Sequence, residues 1–436
     1  MKTLLKLSCM FLFLLTLACN KNDDEPIVEP EVIVEEETLE VENSAPAAFE
    51  LAVVSDNAED VEPLPIFSWN ASADPDGDAV VYDFYLNQGT TATQVYASNL
   101  TENSLEIIDR LALTEDYSWK VVAKDPEGAT ASSLERSFST RSIRFNDSPE
   151  TANAAFTERE FHSTVAFDNK MWVIGGQRAS TVQLKDVWYS EDGSNWVEAT
   201  GSAEFGQKYA HSSVVFNDKI WVIGGADENG QKKSDVWVSD NGESWQKVLG
   251  EAPFSGRMGH TSVVYDNKIW VIGGLNTDNV LMNDVWYSED GETWKEITNN
   301  AKFNARALHS TVVYNNAMYL IGGQDENAKR KSDVFASTDG ITWEVVTENA
   351  LFTGRISHSS VVFDNKIWII GGADESLNRK NDAWFSSDGK TWTEATSAAP
   401  FSNRARHTAV VFKNKAWVIG GVDEFNNIKN DVWSFE

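Results

Sequence analysis

The sequence predicts an all-β protein whose larger part is one four-stranded sheet repeated six times. All six histidines of the chain are spaced 49 residues apart, and a Gly-Gly pair follows each of them at a fixed offset. The segments between these markers are short apolar stretches separated by turn residues, a pattern typical of β-hairpins. A chain of 436 residues with 17 Trp and 22 Phe is also long enough to form two domains with buried cores.

The third repeat shows how the four strands follow from the residues. Its first strand starts at His260, its second runs into Gly273-Gly274, and its third starts near Asp284. The fourth follows the Asp290-Gly291 step, which suits a tight hairpin because both residue types tolerate positive φ. Four-stranded sheets repeated at this length predict a six-bladed β-propeller over residues 144–436.

The order of residues within the repeat resembles that of the kelch family. An Arg or Lys lies three residues before each histidine, the Gly-Gly pair follows, and a Trp closes all but the last repeat. The resemblance covers residues 144–436 and implies a kelch-type propeller. It also implies that the arginines line the mouth of the central channel, as the matching residues often do in kelch proteins.

The register of the repeat predicts how the ring closes. The sixth repeat stops at Glu436, before its fourth strand, whereas residues 145–151 precede the first repeat in the register of a fourth strand. We therefore expect this N-terminal segment to pair with the last blade, which would remove both open sheet edges.

A second, smaller all-β domain is predicted over residues 45–141. Its strand and turn pattern resembles the fibronectin type III sandwich, with Trp69 in the core and Tyr117 as the corner tyrosine. The turn from Asp74 to Asp78 offers several carboxylate oxygens. It is either a simple turn or a calcium site, since Ca²⁺ prefers oxygen ligands.

The N-terminus predicts export. Residues 1–19 combine a basic start with a short apolar core, as in a signal peptide, and they resemble a bacterial lipoprotein signal that ends at Cys19. The resemblance implies lipidation of Cys19 and an anchor in the outer membrane, at the cell surface. Residues 20–44 are rich in Glu, Pro and Val, which predicts an extended acidic tether.

Composition excludes several function classes. A net charge of −31 would repel nucleic acid and anionic membrane surfaces, so neither is an expected partner beyond the lipid itself. The cysteines are Cys9 and Cys19 alone, and every histidine is in register. This argues against a disulfide, a cysteine nucleophile, a Ser-His-Asp triad and the copper chemistry of galactose oxidase, which shares the propeller fold. We expect no cofactor, no metal and a monomer.

The remaining candidate site is one propeller face. The segment before each first strand and the loop after each Gly-Gly pair should share that face, because alternate loops of an antiparallel sheet emerge on the same side. We predict that a cationic ring there binds a ligand, since guanidinium groups suit anionic groups. In the alternative interpretation each ring member pairs with a carboxylate of a neighbouring blade, such as Asp227, Asp325, Asp374 or Asp423. The ring consists of Arg159, Lys208, Arg257, Arg306, Arg355 and Arg404, and Tyr209 and Arg406 complete the candidate ligand-binding residues.

Three functions fit this face. The first is a non-catalytic binding protein for an anionic glycan or a protein segment. The second is a carbohydrate-active enzyme such as a sugar mutarotase or a sialidase-like hydrolase. It would need a carboxylate within reach of Tyr209 or the cationic ring, and Glu160 is the candidate. The third is a structural adhesion module without a pocket. We name no catalytic residue.

Overall fold

The computed structural model describes residues 42–179 and 182–436. The predicted signal peptide, Cys19 and nearly all of the predicted tether lie outside these residues. The described residues form β-strands and connecting loops. None of their segments forms a helix with the length and apolar character that crossing a bilayer requires.

The first part of the chain is a β-sandwich. One sheet has the order β1-β3-β6, and the other has the order β2-β9-β7-β4-β5 with β8 beside β7. The inner faces of both sheets supply a shared core in which Phe67 and Trp119 lie 4.7 Å apart between ring centroids. The strands are β1 (Leu51–Val53), β2 (Ala58–Val61), β3 (Ile66–Trp69), β4 (Val81–Gln88), β5 (Val95–Leu100), β6 (Ser104–Glu106), β7 (Asp116–Lys124), β8 (Thr130–Ser132) and β9 (Arg136–Thr140).

Two residues singled out in the sequence of this domain are structural here. Trp69 is buried in the core, and the Tyr117 hydroxyl accepts a hydrogen bond from the Ala112 backbone amide at 3.0 Å. Asp74 Oδ1 accepts the Asp76 amide at 2.8 Å, so the acidic segment closes as a turn. The fibronectin type III assignment stays a prediction within the observed two-sheet sandwich.

The second part of the chain forms six blades around an axis, which confirms the predicted propeller. Blades 1 to 3 contain β10 (Ser163–Phe167), β11 (Lys170–Ile174), β12 (Gln177–Ala179), β13 (Val182–Gln183), β14 (Val187–Ser190) and β15 (Val197–Thr200); β16 (Ser212–Phe216), β17 (Lys219–Ile223), β18 (Val236–Ser239) and β19 (Gln246–Leu249); β20 (Arg257–Met258), β21 (Thr261–Tyr265), β22 (Lys268–Asn276), β23 (Leu281–Ser288) and β24 (Trp294–Thr298).

Blades 4 to 6 repeat this arrangement. Their strands are β25 (Arg306–Ala307), β26 (Ser310–Tyr314), β27 (Ala317–Ile321), β28 (Gln324–Asp325), β29 (Val334–Ser337) and β30 (Glu344–Thr347); β31 (Ser359–Phe363), β32 (Lys366–Ala373), β33 (Arg379–Ser386) and β34 (Thr393–Thr396); β35 (Arg404–Ala405), β36 (Thr408–Phe412), β37 (Lys415–Asp423) and β38 (Ile428–Phe435). In every blade the main strands form an antiparallel sheet in sequence order.

The propeller core lies between successive blades. Trp221 and Ile223 of blade 2, for example, pack with Ile269 and Trp294 of blade 3. Trp221 also packs against the Asp-Gly turn of the next blade. A Cβ on Gly291 of this turn would lie 2.1 Å from the Trp221 ring. Glycine is therefore required in this turn by both the close approach and its φ of +78°.

The ring closes as the register predicts. Phe145 and Thr151 form antiparallel bridges with Phe435 and Val432 of the last strand. The Thr151 and Val432 backbones exchange hydrogen bonds of 3.3 and 2.8 Å. The segment before the first blade thus supplies the outer strand of blade 6.

The segment before each first strand pairs with the start of the loop after Gly-Gly, as expected. Met258 is paired with Leu275, and Tyr209 and Ile356 are bridged to Ala226 and Ala373. These segments form one end of the channel, which we call the mouth face. The turns between first and second strands lie at the opposite end.

Candidate functional site

The predicted cationic ring is not at the surface. All six side chains are fully or almost fully buried, which contradicts the prediction that they line the channel mouth. Each lies inside its own blade against an Asp that follows 27 residues later. The ion pairs are Arg159–Asp186, Lys208–Asp235, Arg257–Asp284, Arg306–Asp333, Arg355–Asp382 and Arg404–Asp431.

Arg257 shows why these groups are buried. Its guanidinium donates to both oxygens of Asp284 at 2.8 and 2.7 Å and to the Gly273 carbonyl at 2.8 Å. It also lies over the Phe254 ring at 5.3 Å. A buried charge is tolerated when it is paired and its donors are satisfied. The six residues therefore join the strands of a blade and are not available to a ligand.

The alternative interpretation named the wrong carboxylates. Asp227 accepts the amides of Asn229 and Gln231, both at 2.9 Å, and so caps its own hairpin. Asp325, Asp374 and Asp423 cap the equivalent hairpins in the same way. The partner is instead the Asp that lies in or directly before the third strand of the same blade, which the 27-residue spacing alone could not identify.

The six histidines surround the axis as buried structural groups. His211 Nε2 lies 2.8 Å from the Ser163 hydroxyl of the preceding blade, and His260 and His358 repeat this contact with Ser212 and Ser310. Burial lowers the pKa of His211 to about 3, so its imidazole is neutral. No group of three His, Cys, Asp or Glu side chains in residues 42–179 and 182–436 is placed to hold a metal ion.

Directly above the histidines the repeat loses its symmetry. The two positions before each histidine differ in almost every blade, whereas the positions around them are nearly constant. The residue immediately before the histidine is Phe161, Ala210, Gly259, Leu308, Ser357 or Arg406, and the one before that is Glu160, Tyr209, Met258, Ala307, Ile356 or Ala405. Structure requires the histidine but not these neighbours, so the variation marks the mouth face as the candidate functional surface.

A pocket of about 340 Å³ opens on this face beside the axis and is lined by residues of blades 1 to 4. Its wall is mainly apolar and includes Met258, Leu275, Leu281 and Leu308, while Tyr209 is one of the polar groups at its edge. The remaining lining residues are Phe161, Ala210, Gly259, Asn279, Ala307, Gln324, Asp325, Glu326 and Ala328. An apolar wall with a few polar groups is the usual character of a ligand site.

The pocket lies where a link between neighbouring hairpins is missing. In blades 2, 4 and 5 the residue three positions before the ion-paired Asp reaches the hairpin of the next blade. Lys232 donates to Asn279 at 2.7 Å, Arg330 to the Glu375 carbonyl at 2.6 Å, and Arg379 to Asn426 at 2.9 Å. The equivalent residues of blades 3 and 6 are Leu281 and Ile428, which cannot form such a hydrogen bond. The gap between the hairpins of blades 3 and 4 therefore stays open and apolar.

Arg406 lies at the axial end of the same surface. Its side chain is 40% exposed and forms an ion pair with Glu160 at 3.0 Å. Its guanidinium carbon also lies 4.6 Å from the centre of the Phe161 ring. The ring centroids of Phe161 and Tyr209 are 6.4 Å apart. Phe161 thus connects the axial cavity, which Arg406 lines, with the pocket that Tyr209 lines.

Glu160 is not the free carboxylate that the enzyme hypothesis requires. Glu160 is buried, and its Oε1 accepts the Gln177 amide at 2.8 Å while Oε2 accepts Arg406. It is not part of the pocket wall. Sequence reasoning found Tyr209 but missed Leu275, Leu281 and Leu308. Comparing polar with apolar residues at this register position would have pointed to Leu281 and equally to Ile428, of which only Leu281 lines the pocket.

Comparison with known proteins agrees with the fold. The family profile described as the KLHDC2/KLHL20/DRC7 Kelch-repeats domain matches residues 192–346 and 308–436, together more than half of the chain. The solved structure titled "Structure of YjhT" is similar with a TM-score of 0.56 and 16% identity, covering 65% of this chain and 96% of that one. No curated protein sequence matches. The chain belongs to the Kelch-repeat family.

Proposed function

We propose that this protein is a non-catalytic binding module that takes a protein segment on its mouth face. The observation that carries the proposal is the apolar pocket opened by Leu281 at the surface where the repeat loses its symmetry. The pocket suits one aliphatic or aromatic side chain of a partner. Tyr209 and Arg406 would then contact the polar backbone or an acidic side chain beside it.

A protein segment fits this surface better than an anionic glycan. The glycan hypothesis depended on a ring of six cations, and those side chains are buried in ion pairs. Arg406 is the candidate cation that stays partly exposed, and it already has an acidic partner. The proposed enzymatic use of the face depended on Glu160, whose two oxygens are occupied.

The predicted export fits the same role. A lipid on Cys19 and the acidic segment to residue 44 would place the binding module at the cell surface. This part of the proposal depends on the sequence pattern alone. Radiolabelled palmitate incorporation that is lost in Cys19→Ala would support it, and an unlabelled wild-type protein would count against it.

Selection from a displayed random peptide library tests the binding role, with the selected peptides measured against Leu281→Arg. Blades 4 and 5 carry Arg at this position, so the substitution should be tolerated while it fills the pocket. We expect a loss of about 10- to 100-fold in affinity, because a buried apolar side chain is worth about 1.5–3 kcal/mol.

Leu377→Arg is the matched control. Leu377 is exposed at the tip of the blade 5 hairpin and is not part of the pocket wall, so its substitution should leave affinity within about twofold. Equal binding by wild-type protein and the folded Leu281→Arg variant would contradict the proposed site. Selective binding to a glycan array in place of peptides would favour the carbohydrate alternative.

A further inference from the structure

The sandwich is attached to the propeller by more than the connecting chain. Blade 5 contributes Asp364, whose side chain is only 1% exposed. Arg110 of the sandwich donates to Asp364 Oδ1 at 2.7 Å, and the Leu113 amide donates to Oδ1 and Oδ2 at 3.0 and 2.9 Å. Arg110 also lies 5.4 Å from the centre of the Phe363 ring. A carboxylate buried with this many donors forms strong hydrogen bonds.

Lys366 extends the same joint. It lies 3.3 Å from both Asp364 and Glu115 and donates to the Leu113 carbonyl at 3.2 Å. Its side chain is 9% exposed. The loop before β7 is therefore held from both sides, with its amide on Asp364 and its carbonyl on Lys366.

A second contact lies at the end of the propeller chain. The buried Arg141 pairs with Glu62 of the sandwich at 2.6 Å and donates to the Glu436 backbone carbonyl at 3.0 Å. Arg144 donates its backbone amide to the same carbonyl at 2.7 Å and its guanidinium to Glu62 at 2.7 Å. Two separate contacts prevent rotation about a single hinge.

The sequence of the turn that contains Asp364 does not by itself explain why the Asp364 side chain is buried. Blades 1 and 3 have the same Asp-Asn-Lys turn after an aromatic residue, and positive φ at both Asp and Asn fits a tight hairpin in all three. Asp266 of blade 3 is nevertheless 71% exposed. The sandwich, and not the blade, is therefore the cause of the burial of Asp364.

The positions of the loops fix the orientation of the sandwich. Strands β4 and β7 are antiparallel, and Val81 and Lys124 mark one end while Gln88 and Tyr117 mark the other. The start of the described chain is bound at the first end, where Asn43 donates to Asp125 at 2.9 Å. The propeller contacts extend from the second end, about 30 Å away for a nine-residue strand.

We infer that blade 5 and the last strand hold the sandwich as a fixed stalk on the propeller end opposite to the mouth face. The turn at Asp364 lies across the strands of blade 5 from Ala373, which belongs to the mouth face. The stalk therefore directs the mouth face away from the N-terminal end of the sandwich. This inference does not depend on the identity of any ligand.

Hydrogen–deuterium exchange of the full chain, with Asp364→Ala compared to Asp266→Ala, tests the stalk. In Asp364→Ala the Leu113 amide loses its acceptor, and Arg110 and Lys366 lose a shared partner. We expect exchange in residues 109–116 to rise by about tenfold or more as this joint opens locally, and small-angle X-ray scattering to show a wider range of domain separations. Asp266→Ala should change neither measurement.

Exchange in blade 3 shows whether each variant has kept its propeller. Should Asp364→Ala unfold, Arg110→Ala removes the contact from the sandwich side and leaves blade 5 intact. Unchanged exchange and scattering in a folded Asp364→Ala or Arg110→Ala protein would overturn the inference. Peptide affinity at the pocket should be the same in all three variants, so failure of the stalk and failure of the proposed function are distinguishable.

Discussion

Individual residues in this repeat serve either the blade or the surface, and the distinction is visible in their hydrogen bonds. Arg257 satisfies Asp284 and a backbone carbonyl in the interior, while Arg406, two residues after the equivalent Arg404, is partly exposed. The in-register cations stabilise the sheet. The residues beside them, which differ from blade to blade, form the candidate binding surface.

Replacing Arg257 by Ala should therefore destabilise the fold. The change leaves Asp284 buried without its charged partner, and breaking a buried pair from one side costs about 3–5 kcal/mol. Arg257→Lys is the matched control because blade 2 uses Lys208 at this position, and it should retain most of the stability. Urea unfolding followed by Trp fluorescence measures both. A loss below about 1 kcal/mol in Arg257→Ala would mean that the pair is unimportant.

The sequence could predict the fold because propeller structure repeats at the level of residues. Register alone located the blades, the paired mouth-face segments and the closing segment at Phe145 and Thr151. It could not show whether Arg257 points into the blade or towards the channel. An Arg buried beside Asp284 and an Arg exposed at the channel mouth would occupy the same position in the repeat. The pocket was also hidden, since it depends on Leu281 lacking a contact that Lys232, Arg330 and Arg379 make with the next blade.

At the level of elements, the hairpins on the mouth face and the strand that closes the ring perform different tasks. Arg330 and Arg379 link neighbouring hairpins, which restricts their separation. Leu281 leaves the hairpins of blades 3 and 4 without this link, and the pocket lies between them. Closure of the ring depends on the last blade, because residues 145–151 supply its outer strand.

Deletion of residues 430–436 should abolish cooperative melting. It removes most of β38, the partner of both β37 and the closing segment, and exposes two sheet edges together with apolar surface at Phe435. We expect a broad transition in scanning calorimetry and increased aggregation, as exposed strand edges favour association. A variant that lacks residues 42–44, which lie far from the closure, is the control. A single sharp transition at the wild-type temperature would contradict closure by this pairing.

At the level of the whole molecule, the ring of neutral histidines makes stability dependent on pH. Burial lowers the pKa of His309, His358 and His407 to about 3, while the unfolded chain has an ordinary value near 6.5. Below about pH 6.5 the unfolded state therefore binds more protons than the folded state, so stability falls as pH falls. Each histidine adds up to about 1.4 kcal/mol per pH unit to this slope.

This linkage can be measured with His309→Gln. Glutamine retains a group that can hydrogen-bond to Thr261, whose hydroxyl lies 3.1 Å from His309 Nε2, but it does not titrate. Guanidinium unfolding at pH 7.5, 6.5, 5.5 and 4.5 should give a free energy of unfolding that decreases steeply below pH 6.5. The decrease should be shallower in the variant by about 1.4 kcal/mol per pH unit. Equal slopes would mean that His309 is protonated in the folded ring, and the neutral-ring account of the axis would then be wrong.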